Sequence, residues 1–73
     1  MQEYSVILVY STAHAIRAEH VLSQADVSCR LIPVPRHLSS DCGVCLRIAR
    51  SDREAAGQAL QGAGVEIQSV HDI

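Results

Sequence analysis

Four short apolar runs, two stretches of helical periodicity and connections of only a few residues predict an α+β fold. The order is that of a ferredoxin-like βαββαβ sandwich, a four-stranded antiparallel sheet with two helices on one face. A length of 73 residues suits a single domain spanning 1–73, in which folding buries only about 60% of the surface an unfolded chain exposes. The hydrophobic share is 48% and includes only two aromatic residues, both tyrosines. The core is therefore expected to be built from Val, Ile, Leu and Ala.

The first run, YSVILVY at residues 4–10, is nearly continuous in apolar and β-branched residues, which suits a strand buried on both faces at the centre of a sheet. Ser11 and Thr12 can cap the helix that follows, expected to end near Ala25. At about 100° per residue, Ala15, Ala18, Val21, Leu22 and Ala25 fall on one side of it, and Ile16 falls opposite as an exposed residue. Residues 27–34 read as a second strand whose Pro33, lacking an amide hydrogen, belongs on a sheet edge. Residues 35–41 form a loop. Val44–Ala49 alternates cleanly, with Val44, Leu46 and Ile48 on one face and Cys45, Arg47 and Ala49 on the other. Ser51 and Glu54 have capping-box spacing and open a second helix, which Gly62 and Gly64 close. Residues 65–70 supply the last strand.

The formal charge of −2 and six arginines without a single lysine give no field suited to drawing nucleic acid. The apolar run at the start lacks a basic flank and is too short to be a signal peptide or a membrane span. A cytoplasmic location is the expectation, and there thiols stay reduced unless they are catalytic or metal-bound. The chain has three cysteines, two of them in the loop and strand sequence PRHLSSDCGVC.

Three readings of that stretch compete. A dithiol redox site at Cys42 and Cys45 meets a geometric objection: three strand steps separate the Cα atoms by about 10 Å, beyond the ~7 Å limit for a disulfide, and alternation sends the side chains to opposite faces. A zinc site would draw on His37, Cys42 and Cys45, but one CxxC without a second ligand pair is a weak signal. The third reading is a single working thiol, Cys42, at the end of a polar loop. Arg36 and His37 stand near enough in sequence to favour its thiolate, while Asp41 opposes it. Gly43 removes a side chain from the approach. Cys29 and Cys45, on strands, read as inert core residues. His14 and His20 read as solvent-facing residues of the first helix.

The run Ile32-Pro33-Val34-Pro35-Arg36, followed by Ser39-Ser40-Asp41-Cys42-Gly43 and preceded by Ser11-Thr12-Ala13-His14-Ala15 and Ala18-Glu19, resembles the selenium/sulfur carrier protein-like family over nearly the whole chain. The resemblance implies a non-turnover carrier rather than an enzyme, in which Cys42 holds sulfur or selenium as a persulfide or perselenide. It also implies that Arg36 and His14 stabilise the terminal anion, that Ser39 and Ser40 solvate it, and that Glu19 orients Arg36. A donor such as a cysteine desulfurase and an acceptor enzyme would be the partners, with no resident cofactor. Cys45 departs from the family pattern, where an apolar or small residue is usual. The competing expectation is a zinc-binding or protein-docking module that uses an open sheet face or the first helix. A homodimer through a sheet edge or face is compatible with both.

Overall fold

A computed structural model describes residues 3–38 and 42–73. Its elements follow the expected order: β1 (Tyr4–Leu8), α1 (Thr12–Gln24), β2 (Cys29–Pro33), β3 (Val44–Ala49), a 3₁₀ turn (Arg50–Asp52), α2 (Arg53–Gly62) and β4 (Ser69–Asp72). The strands form one antiparallel sheet in the order β2-β3-β1-β4. Placing β1 and β3 at the centre satisfies the apolar character of both: Val6, Ile7, Leu8, Cys45, Leu46 and Ile48 are all essentially inaccessible to solvent. Pro33 falls on the edge strand β2, where its missing amide hydrogen costs no ladder bond.

Both helices lie on the face formed by Ile7, Leu46 and Ile48. Helix α1 contributes Ala15, Ala18 and Leu22, and α2 contributes Ala56 and Leu60. Three alanines at these contacts let the helix axes approach the sheet closely, which is how a chain without phenylalanine or tryptophan fills its core. Ile16 is 57% exposed, as the periodicity implies, and Ala25 of the expected stripe is exposed because it lies beyond the last helical turn.

The two helices stop in the same way. After α1, Asp26 donates to the Ser23 carbonyl and Val27 to the Leu22 carbonyl; after α2, Gly64 donates to Gln61 and Val65 to Leu60. In each case a residue with positive φ, Asp26 at 59° and Gly64 at 71°, reverses the chain, and the next valine packs back on the core. This is the Schellman arrangement, which satisfies carbonyls that the helix leaves unpaired.

Four expected boundaries shift. The capping box at Ser51 and Glu54 does not form: Ser51 lies within the 3₁₀ turn, Asp52 occupies the cap position of α2, and its side chain makes no capping bond. The last strand runs over Ser69–Asp72 rather than 65–70, because Val65 and Ile67 are spent on packing beneath the helices while pairing with β1 begins where Gln68 donates to the Leu8 carbonyl. The first and second strands are shorter than their apolar runs. Val9, past the end of β1, stays fully buried.

The sheet face opposite the helices is not the open surface the element order suggests. Val6, Leu8 and Cys45 form a second buried cluster, covered by Ile32 from β2 and by Val34 and Leu38 from the loop that follows it. Leu38 donates to the Pro35 carbonyl, a turn that folds the loop back over this face.

Candidate functional site

Ser11 leaves β1 in extended conformation and caps α1, its Oγ accepting the His14 amide at 3.2 Å. The Ala15 amide donates to the Ser11 carbonyl, the first helical bond, so the amides of Thr12 and Ala13 have no carbonyl within the helix to meet. Cys42 reaches this point from the β2–β3 connection. Its Sγ lies 3.8 Å from Thr12 Oγ1, and the half-buried side chain packs at the border of the helix-side core. A thiol at the first turn of a helix stands where amide hydrogens and the positive end of the helix dipole favour an anion.

Gly43 follows with φ at +81°, and an added Cβ there would meet nothing within 4 Å. Glycine is thus favoured by the backbone conformation and not by crowding within the chain. Its carbonyl accepts the Val34 amide at 3.2 Å, so the turn that presents Cys42 is tied to the start of the covering loop.

Cys42 and Cys45 stand on opposite sides of the sheet. Cys42 packs with the helix-side cluster, whereas Cys45 belongs to the cluster with Val6 and Leu8. All three cysteines are free. Cys45 is completely buried, its Sγ 4.0 Å from the Pro33 carbonyl; burial pushes its pKa up, and the nearby Cys42 adds to the shift. Cys29 is half-buried, and burial first, then the Glu19 carboxylate, raises its pKa. Both thiols are held in the neutral form.

The other expected site residues scatter. His14 is half-buried with its Nδ1 2.7 Å from Ser11 Oγ and its ring edge-on to Tyr10 at 6.2 Å. It projects about 200° around the helix from Thr12, so it serves the cap more directly than the thiol. Glu19, two turns beyond Thr12, lines a shallow cavity of about 660 Å³ with Ile16, His20, Asp26 and Cys29. Arg36 and His37 are exposed on the covering loop, and among the described residues no ion pair or hydrogen bond joins Arg36 to Cys42 or to Glu19. Ser39, Ser40 and Asp41 lie outside the described residues. His37, Cys42 and Cys45 do not gather: among the described residues no group of three His, Cys, Asp or Glu side chains converges as a metal site would require, and the sheet itself separates the two thiols. Thr12, named from the sequence only as a possible cap, is the residue that meets the thiol.

The fold and this site define a class: a small α+β domain that presents one half-buried thiol at a helix N-terminus, with two further thiols kept neutral. The family comparison is specific. The chain belongs to the family described as "Putative Se/S carrier protein-like", whose model matches residues 3–72. Searches of curated proteins and of solved structures found no match. Among the described residues no helix is long and apolar enough to cross a membrane.

Proposed function

We propose that the protein carries sulfur or selenium as a persulfide or perselenide on Cys42 and relays it from a desulfurase-type donor to an acceptor. The observation that carries this reading is the placement of Cys42 at the first turn of α1, beside Thr12 Oγ1, in a chain of a Se/S carrier family. The Cys42 thiolate attacks the terminal sulfur of a donor persulfide; the donor's S–S bond breaks, the donor cysteine leaves as thiolate, and the new S–S bond stands on Cys42. The transfer needs no external oxidant. The terminal sulfur bears the charge, and the amides of Thr12 and Ala13, which no carbonyl within the helix meets, are donors at the same helix end. Arg36, exposed on the covering loop, is the cation we assign to the same anion.

The deciding experiment is intact mass measured anaerobically without reductant after incubation with a cysteine desulfurase and cysteine. Wild type should gain one sulfur that reductant removes. Cys42→Ser should gain none, while Cys29→Ser and Cys45→Ser load normally. Equal loss in all three variants, or equal gain in Cys42→Ser, would refute a single-thiol carrier.

A further inference from the structure

The outward face of the sheet carries a charge arrangement that the thiol site does not use. The strand pairing aligns Tyr4, Val6 and Leu8 of β1 with Cys45, Arg47 and Ala49 of β3, Arg30 and Ile32 of β2, and Ser69 and His71 of β4. These positions include two arginines and no carboxylate, although the chain as a whole is net negative. Arg30 and Arg47 are direct cross-strand partners, and side chains so placed have their Cβ atoms only about 5 Å apart. Like charges opposite one another destabilise a sheet.

Among the described residues no ion pair offsets that repulsion. The ion pairs among the described residues engage Arg50 and Arg53, not Arg30 or Arg47. Arg47 is held in place by stacking, its Cζ 4.2 Å from the centre of the Tyr4 ring. Both arginines line a cavity of about 420 Å³, with Tyr4 and Ser28 also in its wall. Asp52 lines the same cavity yet makes no ion pair with either arginine among the described residues. Two arginines that are cross-strand partners and line one cavity, one of them stacked on an aromatic ring, bring together the planar donors by which arginine recognises oxyanions.

We propose that Arg30 and Arg47 form a binding site for an oxyanion group, supplied either by a small inorganic oxoanion or by a carboxylate of an acidic partner segment. The site is separate from the thiol: Arg47 shares the sheet face of its partner Val6, whereas Cys42 packs with the helix-side cluster.

The test follows the arginine Nε–H resonances while the intact protein is titrated with inorganic phosphate or with a short polyglutamate peptide, ionic strength being held constant with sodium chloride. Saturable shifts of the Arg30 and Arg47 signals, lost in both Arg30→Gln and Arg47→Gln, support the site. Saturation by phosphate identifies a free oxoanion as sufficient, and saturation by the peptide alone identifies a partner's carboxylates. Shifts that fail to saturate with both probes, or that persist unchanged in the variants, overturn it. Melting gives an independent readout. Without oxoanion, Arg30→Gln should melt at or above wild type, because the repulsion is gone; a variant that melts lower with and without oxoanion would show that the pair is already satisfied within the chain, and the proposal fails.

Discussion

At the scale of single residues, the distribution of thiols between two environments is the property that matters most. Cys45 lies in an apolar cluster with Val6 and Leu8, so Cys45→Ser buries a hydroxyl with little to bond and should cost about 1–3 kcal/mol, read by denaturant unfolding, without touching sulfur loading. Thr12→Ala should do the opposite. Removing the hydroxyl beside Cys42 leaves the exposed helix start intact but takes a donor worth about 1 kcal/mol from the anion, roughly a fivefold slower loading. Single-turnover loading followed by mass spectrometry checks it; an unchanged rate would assign anion stabilisation to the backbone amides alone. The residues legible in the sequence were those whose chemistry is local. Cys42 stood out because it follows a polar loop, and the opposite facing of Cys45 followed from strand alternation. Thr12 was not legible as a neighbour of Cys42, because that contact joins positions thirty residues apart and no periodicity reports it. Glu19 and Arg36 match a family pattern, yet one lies beside Cys29 and the other on the covering loop.

At the scale of elements, the helix ends decide much of the local stability. Ser11 caps α1 and Ser51 caps nothing, so Ser11→Ala should cost about 1 kcal/mol while Ser51→Ala stays near neutral. Thermal or chemical melts separate the two. Asp26 and Gly64 perform the same reversal, but aspartate only tolerates the left-handed region that glycine adopts freely. Asp26→Val should therefore cost about 1–2 kcal/mol, whereas Asp26→Gly should be accepted. Gly43→Ala should cost about 1–2 kcal/mol for the same backbone reason, and as that turn presents Cys42, loading should fall with it. The apolar runs and the clean alternation of Val44–Ala49 made the strands readable. The start of β4 was not, since Val65 and Ile67 are as apolar as strand residues but serve the core from a connection. Ser51 misled for a related reason: capping-box spacing is a local signal, and the 3₁₀ turn entering α2 displaced it.

At the scale of the whole molecule, the domain is a thin plate, 31 × 29 × 15 Å across its Cα atoms, closed above by helices and below by a loop. Its pH limits come from opposite ends of the scale. Asp72 ties β4 to β1, accepting from the buried Ser5 hydroxyl at 2.6 Å and facing Arg53 and Arg50. The Ser5 bond holds its pKa below the usual 3.8; burial opposes this, and the Arg53 and Arg50 guanidiniums add to the lowering. That contribution is complete above 3.8 and disappears as pH falls through the lower folded-state value. Cys45 and Cys29 act in the other direction, their pKa values lying above the ordinary 9.0. Their contribution is full below 9.0 and declines as pH rises toward the folded-state values. Stability measured by urea unfolding should thus form a plateau through neutral pH with both shoulders falling, the acid one flattened in Asp72→Asn and the alkaline one in Cys45→Ala.

If Cys42 carries sulfur as proposed, its separation from Cys45 by the thickness of the sheet also governs how long the loaded state lasts. In many dithiol proteins a second cysteine attacks the first within the same chain, and whatever the first one holds is released on the spot. Here that internal discharge route is walled off, and Cys29 lies at the far end of the sheet. On the proposed function, a sulfur atom on Cys42 would then leave by a collision with another molecule. The lifetime of such a loaded protein would be set by its surroundings rather than by its own clock, as storage between encounters requires.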